Sequence, residues 1–495
     1  MNNIDIDLQK KINYGVNLIE KNNFDDAEKF FSKFLNNKLS EITGLFFLGI
    51  ISIKKKENYK AKELFYKILS IDKLHPEANF NLGLVYFGEE NFDEALKCFD
   101  NLIKINNKHL PSYYHKGLIY MARDNFDEAI KYFQICIDID EKFIPTLLNL
   151  GNIFLRKNEF KKSIFYYEKI LNTTSDKTYS NLARFNISWN QLAEGNFDEG
   201  FKNYEIRKEK NNIKIKIKEI IDKCSCNEWQ GEDLNNKTIL ILSEQGLGDN
   251  IQFFRYLFWL KVEFNANIIF FVDKKKSHLF KDTPFKIVSN LNDITNVDYF
   301  KFIMSLPGVY YKQNKNFQKL VPYIKPDEEK CLKWHHQFKK FNKPVIALNW
   351  QGDRTFMFDK TRSIPLINFE KILNLKKYKF ISLQKGFGSE QIKHNHFENH
   401  IIDLSKEIDN GDKTFEDTIA ILKNVDCLIT SDTSIAHLSG TLDVKTYLLL
   451  SFNPEWRWFI EKKYNIFYPN VKIIQQNKPG NWKSVFDDIE VILKK

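Results

Sequence analysis

A strand, a glycine turn and an amphipathic helix follow one another in residues 238–260, TILILSEQGLGDNIQFFRYLFWL. Gly246 and Gly248 occupy the turn, and Asp249 stands at the start of the helix. Such a turn presents backbone N–H groups and a helix dipole at the carboxyl edge of a sheet, where α/β proteins bind ligands. Asp249 is therefore a candidate catalytic carboxylate, with a plain helix N-cap as the alternative. The spacing is neither a dinucleotide fingerprint nor a P-loop.

A second turn of this kind lies in residues 425–441, VDCLITSDTSIAHLSGT. A buried strand leads into Asp432, Thr433 and Ser434. Hydroxyl groups and free N–H groups at a helix N-terminus suit a diphosphate. His437 follows Ser434 by three residues, so a helix places both on one face. The alternative is an N-capped core helix with a hydrogen-bonded histidine.

Two further strand-to-loop segments are rich in groups that favour anions. Residues 349–366, NWQGDRTFMFDKTRSIPL, collect the basic side chains of Arg354, Lys360 and Arg362. Residues 382–391, SLQKGFGSEQ, place Lys385 in a glycine turn. Cations in such loops can neutralise phosphates. Four anion-favouring turns in one region indicate a ligand site at strand ends.

The elements around these turns predict an α/β fold for residues 237–495. Short apolar runs alternate there with amphipathic helices, and this alternation is typical of parallel sheets. We expect one sheet in each half, with the division near 335–344.

The first 200 residues have a different pattern, which repeats every 34 residues. One column holds the glycines Gly15, Gly49, Gly83, Gly117 and Gly151. A second column holds the small residues Ala27, Ala61, Ala95, Ala129 and Ser163, and an aromatic column holds Phe24, Phe92, Phe126 and Phe160. Each unit reads as two amphipathic helices, which cannot bury their apolar faces alone. The sequence therefore predicts a stacked α-solenoid.

The repeat pattern changes near residue 206. A sixth unit, 185–207, is offset and has Ser188 in the glycine column, which is expected of a capping unit. A Lys-rich stretch, RKEKNNIKIKIK at 207–218, follows it. Its alternating Ile and Lys fit either a strand or the polar end of a helix. We expect a linker over 207–236.

The repeats resemble the tetratricopeptide repeat. The C-terminal motifs, EQGLGDNIQF, NWQGD…TRSIPL, SLQKG, DLSKEIDN, DTSIAHLSG and PEWRWF, resemble the heptosyltransferase superfamily of glycosyltransferases in order and spacing, in the form fused to such repeats (GT-B, family 9-like). The resemblance implies an α + α/β protein, with the α-solenoid at 1–206 followed by a compact GT-B unit. Its two Rossmann-like domains would be an acceptor domain at 237–340 and a nucleotide-sugar donor domain at 341–495.

The resemblance also implies roles for individual residues. Asp249 matches the proposed general base of the family's Gly-Asp element, whose turn glycines are Gly246 and Gly248. The donor-phosphate element is matched by Asp432, Thr433 and His437, with Ser434 at the position of its glycine. Arg362 and Lys385 fall in its phosphate-binding segments. Trp456 and Trp458 are candidates for stacking on a sugar or base, with core packing as the alternative.

Three departures separate this chain from true heptosyltransferases. Ser434 replaces a glycine, so the backbone is less free to approach a phosphate. Arg362 replaces a lysine. The Thr-x-Pro that follows Gly-Asp in the family is absent, and residues 250–253 read Asn-Ile-Gln-Phe instead. The resemblance therefore leaves open whether the sugar is a hexose, a heptose or an N-acetylhexosamine, and it does not name the acceptor.

Composition narrows the class of protein. The 495 residues are 43% hydrophobic with a net charge of +10, which excludes collagen-like, mucin-like and wholly disordered chains. No apolar run approaches the roughly 18–20 residues of a membrane-spanning helix, and the N-terminus lacks a signal-peptide layout. The closest cysteines, Cys224 and Cys226, form a C-x-C without a second pair for zinc. We expect a cytoplasmic, bacterial protein with reduced thiols and no metal or resident cofactor.

The sequence thus predicts an inverting, metal-independent glycosyltransferase. It would transfer a sugar from a nucleotide diphosphate sugar to an acceptor hydroxyl, while its repeats recruit a protein or glycan acceptor. The alternative is a non-catalytic repeat scaffold for protein–protein interaction that retains the GT-B fold. Nucleic-acid binding ranks below both, because no recognition motif with interleaved aromatic residues is present.

Overall fold

A computed structural model describes residues 3–38, 40–317, 319–355, 359–458 and 466–495 of the chain. The chain divides into two compact units. The first comprises residues 1–154 with 165–174, and the second comprises residues 155–164 with 175–495. No helix in the described ranges combines the length and the apolar character needed to cross a membrane.

The N-terminal region consists of antiparallel helix pairs. The helices are α1 (Asn3–Glu20), α2 (Phe24–Ser32), α3 (Glu41–Lys54), α4 (Asn58–Ile71), α5 (Pro76–Gly88), α6 (Phe92–Ile105), α7 (Leu110–Ala122), α8 (Phe126–Ile139), α9 (Ile144–Arg156), α10 (Phe160–Thr173), α11 (Lys177–Glu194) and α12 (Phe197–Tyr204), with a 3-10 turn at Lys33–Asn36. These bounds reproduce the predicted 34-residue period, with a pair of helices in each unit.

Close packing within each pair depends on the glycine column. A Cβ atom on Gly49, Gly83 or Gly117 would lie 2.5–2.8 Å from the ring of the aromatic residue sixteen positions later. Those aromatic residues form a column of their own, Phe31, Phe65, Phe99, Phe133 and Tyr167, and are fully buried. The sequence analysis identified a different aromatic column, which begins the second helix of each pair. The glycines therefore allow a buried ring of the paired helix to approach the backbone.

The rest of the chain alternates strands with helices. The strands are β1 (Asn227–Glu228), β2 (Thr238–Leu242), β3 (Asn267–Phe271), β4 (Lys286–Val288), β5 (Tyr299–Phe302), β6 (Val345–Asn349), β7 (Lys379–Ser382), β8 (Ile401–Asp403), β9 (Cys427–Ser431), β10 (Thr446–Leu450) and β11 (Val471–Gln475). The helices are α13 (Asn211–Cys224), α14 (Leu247–Phe253), α15 (Arg255–Phe264), α16 (Lys274–Ser277), α17 (Leu306–Asn314), α18 (Glu328–Lys339), α19 (Asp359–Arg362), α20 (Glu370–Leu373), α21 (Gln391–His394), α22 (Glu416–Leu422), α23 (Ser434–Thr441) and α24 (Trp482–Lys494). Short 3-10 helices lie at Glu205–Glu209, His278–Phe280, Leu291–Asp293, Ile303–Ser305, Leu366–Phe369 and Trp456–Trp458.

The strands form two parallel sheets. The first has the order β1-β5-β2-β3-β4, and the second has the order β11-β10-β9-β6-β7-β8. Every strand pairing in both sheets is parallel. The parallel α/β character expected of the C-terminal region is therefore confirmed.

The segment expected to be a linker, 207–236, contains regular structure. Its alternating Ile-Lys run forms α13, in which Ile213, Ile217 and Ile220 pack against the first sheet. β1 then pairs with β5 at the edge of that sheet. The alternation at every second residue does not produce a strand, because residues at helical spacing reach the apolar sheet face.

By packing, the helix pair α11–α12 belongs to the second unit. Phe197, Phe201 and Tyr204 lie in the same buried cluster as residues of both sheets. The expected boundary at residue 206 marks the end of the repeat pattern in the sequence, whereas the compact unit that contains the sheets includes residues from 175 onward.

Candidate functional site

The two turns singled out in the sequence lie where strand order reverses in each sheet. In the first sheet, the chain leaves β2 toward β3 and β4 on one side, while β5 lies on the other. In the second sheet, β7 and β8 extend from β6 on one side, and β10 and β11 extend from β9 on the other. A crevice opens outside the carboxyl ends of parallel strands at such switch points, and α/β proteins bind ligands there.

The turn after β2 touches the helix after β9. A Cβ atom on Gly248 would lie 2.9 Å from Cδ2 of His437 and 3.5 Å from Cα of Ser434. Glycine is therefore needed at this position for α14 and α23 to approach each other. Two motifs almost 190 residues apart in the chain thus meet at one place.

Asp249 has two partners in the site. Its Oδ2 accepts a hydrogen bond of 2.9 Å from the backbone N–H of Gly246, and its Oδ1 lies 2.6 Å from Nη2 of Arg457. The side chain is 16% exposed. The hydrogen bond is the one expected of a carboxylate at a helix N-terminus, while the ion pair connects the β2–α14 turn to the segment that follows β10.

Arg457 is the central cation of the site, and the sequence analysis missed it. Its side chain is 2% exposed, and Nη1 lies 2.6 Å from Oε1 of Glu455. The guanidinium lies 4.7 Å from the centre of the Trp456 ring. A signal was present in PEWRWF, because Glu455 precedes the two tryptophans and Arg457 stands between them.

Three carboxyl groups crowd this site. Burial raises the pKa of Asp249, the Arg457 guanidinium opposes the shift, and Glu455 adds to it. Burial likewise raises the pKa of Asp432, against Arg362 and Arg457 and with a contribution from Asp249. Burial also raises the pKa of Glu455, with Arg457 opposing and Asp432 adding. The site therefore holds acids whose proton affinity is increased, next to permanent cations.

His437 is buried and neutral. Burial lowers its pKa well below the ordinary value, and Arg457 and Arg255 lower it further. Its ring stacks on Trp458 with centroids 4.7 Å apart and planes 17° apart. Its Nδ1 lies 3.2 Å from the hydroxyl oxygen of Tyr468. These are the contacts of a packed histidine, and the same ring forms the contact with Gly248.

Thr433 takes part in a polar network across the edge of the second sheet. Its hydroxyl donates to Oδ1 of Asn349 at 3.0 Å. Nδ2 of Asn349 donates in turn to Oε1 of Gln384 at 2.9 Å. Asp432, Thr433 and Ser434 remain partly exposed. Asn349 lies in the NWQGD motif and Gln384 lies in the SLQKG motif. The sequence indicated no role for either residue, because amides after a strand are not distinctive.

Arg362 belongs to the same electrostatic cluster. Its Nε lies 3.2 Å from Oδ1 of Asp359, and its side chain is partly exposed. Burial raises the pKa of Asp432 and of Glu455, and the positive charge of Arg362 opposes that rise.

Lys385 has its amine engaged within the chain. Nζ donates to the carbonyl oxygens of Ile408 and Asp409 at 2.6 Å and to Oδ1 of Asn410 at 2.9 Å. Lys385 also lines a pocket of about 300 Å³. The other lining residues are Lys275, Leu383, Asp409, Gly411, Asp412, Lys413, Thr414, Phe415 and Thr418.

Trp456 and Trp458 are each 1% exposed. Trp456 packs edge-on against Phe201 and Tyr204 and stacks on Phe253. Trp458 stacks on His437. Both indoles thus make the contacts of the packing alternative, and a sugar or base would not reach their faces in this arrangement. Within the described part of the chain, no group of three or more His, Cys, Asp or Glu side chains could hold a metal ion.

Two family descriptions match the N-terminal region. Residues 55–136 match "Anaphase-promoting complex, cyclosome, subunit 3", and residues 144–176 match the tetratricopeptide repeat. The N-terminal region carries tetratricopeptide repeats. The predicted repeat type is therefore confirmed, and repeats of this type indicate protein–protein interaction.

A distant curated relative is similar to about half of the chain. The chain is 21% identical over 293 residues to protein FlbA of Caulobacter vibrioides, covering 54% of this chain and 48% of FlbA. The chain thus spans about half the length of this relative.

Several solved repeat proteins are similar to part of the chain. A crystal structure of MamA is 24% identical, covering 33% of this chain and 96% of MamA, with a TM-score of 0.31. YrrB, described as a repeat protein with an unusual peptide-binding site, is 21% identical, covering 35% of this chain and 90% of YrrB, with a TM-score of 0.30. A tetratricopeptide repeat protein of Parabacteroides merdae is 16% identical, covering 40% of this chain and 77% of that protein, with a TM-score of 0.34.

Proposed function

We propose that the second unit is a glycosyltransferase of GT-B type, which moves a sugar from a nucleotide diphosphate sugar to an acceptor hydroxyl. The observation that supports it is the meeting of two switch-point turns from separate parallel sheets. That meeting brings Asp249 next to the Asp432–His437 element and the cations Arg362 and Arg457. Two half-sites facing each other suit a reaction with two substrates.

The proposed chemistry is a single displacement at the anomeric carbon. Asp249 takes the proton of the acceptor hydroxyl as its oxygen bonds to the sugar. The bond between the sugar and the diphosphate breaks at the same time, so configuration inverts and a nucleoside diphosphate leaves. The free N–H groups of α23 and the charge of Arg362 stabilise that leaving group. Burial raises the pKa of Asp249, which makes its carboxylate a stronger base.

The pocket beside Lys385 is the proposed place for the nucleoside. It follows β7 at the same edge of the second sheet as the turn after β9. Phe415 supplies an apolar wall, Lys275 supplies a positive charge, and Asp409 and Asp412 supply carboxylates. The ammonium of Lys413 also lines the pocket and is paired with Glu416. Lys385 would act there chiefly by holding residues 408–410, because its amine already donates to them.

The repeats are proposed to bind the acceptor protein or a peptide of it. Helices α3, α5 and α7 carry half-buried apolar residues at equivalent positions, spaced i, i+4 and i+7. This apolar stripe consists of Phe46, Ile50, Ile53, Phe80, Leu84, Phe87, Tyr114, Leu118 and Met121. Apolar surface that recurs over three repeats favours contact with another protein.

A non-catalytic scaffold is the second candidate, and the contacts of Asp249 favour it. A carboxylate that accepts from Gly246 and pairs with a buried arginine has the partners of a structural residue. The repeats would then supply the function and the second unit would bind a nucleotide without turnover.

The intact chain tests the choice between the two. UDP-, GDP-, ADP- and dTDP-sugars are added separately, and both the thermal shift and the release of nucleoside diphosphate are measured. Asp249→Asn keeps an acceptor for the N–H of Gly246 but removes the base. It should lower turnover by about 100-fold or more while the shift with the active nucleotide sugar persists. Asp176→Asn, at the exposed N-cap of α11, is the matched control and should be neutral.

The outcomes separate the candidates. Stabilisation without turnover in the unmodified chain would favour the scaffold. Unchanged turnover in Asp249→Asn would remove Asp249 as the base. If no nucleotide sugar raises the Tm, nucleotide binding by the second unit is contradicted, both for the enzyme and for the scaffold.

A further inference from the structure

A line of polar contacts crosses the site and ends at Asp249. The amide nitrogen of Gln245 donates to the hydroxyl of Tyr204 at 2.8 Å, and its oxygen accepts from Nη2 of Arg457 at 3.4 Å. The same Nη2 lies 2.6 Å from Oδ1 of Asp249. Gln245 has a φ of +59°, a left-handed conformation that places its side chain between Tyr204 and Arg457.

Arg457 is held between two aromatic rings and two carboxylates. Its guanidinium lies 4.7 Å from the ring centre of Trp456 and 5.7 Å from that of Phe253. Glu455 contacts Nη1 at 2.6 Å, opposite the nitrogen that meets Asp249. A guanidinium keeps its charge at all pH values that proteins tolerate. A permanent charge thus occupies one position 2.6 Å from the proposed base.

We infer that Arg457 is a positioning residue that keeps Asp249 ionised and directed toward the acceptor, while Glu455 competes with Asp249 for the same guanidinium. The inference rests on the proposed role of Asp249 as the base. It assigns a role to Glu455 and Arg457, two charged residues of the PEWRWF segment to which the resemblance gives no role.

The other groups that act on Asp249 leave this assignment testable by pH. The backbone N–H of Gly246 faces Asp249 from its own turn. The ionisable groups around the site come from the elements packed against that turn: Tyr204 of α12, Arg362 of α19, Asp432 and His437 after β9, and Glu455 and Arg457 after β10. Tyr204 stays neutral because burial raises its pKa to about 12. His437 stays neutral because burial lowers its pKa. The carboxyls of Asp249, Asp432 and Glu455 are therefore the groups of this cluster whose titration the substitutions can move.

Two substitutions should move the titration of Asp249 in opposite directions. Arg457→Met removes a positive neighbour, so Asp249 should hold its proton to higher pH. The acidic limb of kcat/KM should then move upward by about one pH unit or more. Glu455→Gln removes a negative neighbour, so the limb should move downward. Arg457→Lys keeps the positive charge but lacks the planar guanidinium. The acidic limb of its kcat/KM profile should therefore stay close to that of the unmodified chain.

A second readout needs no turnover. The chain is labelled with aspartate carrying ¹³C in its side-chain carboxyl, and Asp249→Asn identifies the signal of Asp249. The midpoint of that signal should move upward in Arg457→Met and downward in Glu455→Gln without any nucleotide sugar. If Arg457→Met does not fold, Glu455→Gln still tests the inference, since it removes a charge and leaves none unpaired.

Opposite shifts support the inference, and shifts that are absent or share one direction overturn it. If kcat/KM falls in every variant while its acidic limb and the midpoint of the ¹³C titration stay in place, Arg457 is only structural. Failure of the proposed function is recognised separately, because the unmodified chain would then turn over none of the nucleotide sugars.

Discussion

At the scale of single residues, the site depends on how closely two backbones approach. Gly248 faces His437 and Ser434, and neither neighbour can withdraw easily. His437 is held by Trp458 and Tyr468, while the nearest part of Ser434 includes its Cα. A single methyl group at position 248 would therefore separate the two turns that form the site.

Gly248→Ala should lower the free energy of unfolding of the second unit by about 1–3 kcal/mol, the usual range for an overpacked contact. It should also reduce the thermal shift that the active nucleotide sugar produces. Differential scanning calorimetry of the intact chain measures the first effect.

Gly411→Ala is the matched control for stability alone, because a Cβ atom there meets nothing within 4 Å and its φ is not in the left-handed region, whereas Gly411 also lines the pocket proposed for the nucleoside. It should change stability by less than about 0.5 kcal/mol. Equal Tm values for the two variants would mean that α14 and α23 can separate without cost.

At the scale of elements, the β2–α14 turn is held by the helix pair that precedes the sheets. Arg207, in the 3-10 helix after α12, is 1% exposed and donates to Glu244 at 2.8 and 3.2 Å. It also contacts Glu205 at 2.6 Å and donates to Ser305 at 2.7 Å. Glu244 directly precedes Gln245, so this buried ion pair fixes the start of the turn that bears Asp249.

Arg207→Met should cost about 3–5 kcal/mol of stability, because it leaves the buried carboxylate of Glu244 without its cation. The double variant Arg207→Met/Glu244→Gln should recover part of that loss, since no unpaired charge remains. Asp198→Asn breaks an ion pair with Lys315 whose members are both more than half exposed, and should cost at most about 1 kcal/mol.

Thermal unfolding of the four chains decides this prediction. A loss in Arg207→Met no larger than that in Asp198→Asn would contradict it.

The result also guides truncation of the chain. Removal of residues 1–206 would delete α11 and α12 and expose Arg207 and the apolar surface that these helices cover, so a shortened chain should begin at or before residue 175.

At the scale of the whole molecule, the proposed function divides between the two units. The apolar stripe lies in the first unit, and the site around Asp249 lies in the second. If the stripe recruits the acceptor, the two activities should separate by mutation.

Leu84→Glu with Leu118→Glu places two charges on the stripe at half-buried positions. Transfer of a radiolabelled sugar to an array of Ser- and Thr-containing peptides should fall at least about tenfold, because peptide binding loses apolar contacts. Hydrolysis of the nucleotide sugar by water should be unchanged. Tyr59→Glu, at a 75% exposed position on α4 outside the stripe, is the control. Equal transfer by both variants would contradict the role of the stripe.

The local sequence determined more of the fold than of the site. The 34-residue period predicted the helix pairs, because a glycine and a small residue must recur wherever two helices pack closely. The run of Ile and Lys in α13 was ambiguous, since local spacing allowed a strand. Only the apolar face of the first sheet selects the helix, by covering Ile213, Ile217 and Ile220.

By itself, the sequence determined that this protein has tetratricopeptide repeats, parallel α/β sheets, and glycine turns at strand ends with Asp249 and His437 in helical positions. These features follow from residues that are neighbours in the chain. Only the tertiary structure decided that the turns meet, that Arg457 lies between Asp249 and Glu455, and that Trp456 and Trp458 are packed. Strand order and side-chain packing determine which distant residues come into contact, and no local pattern records the result.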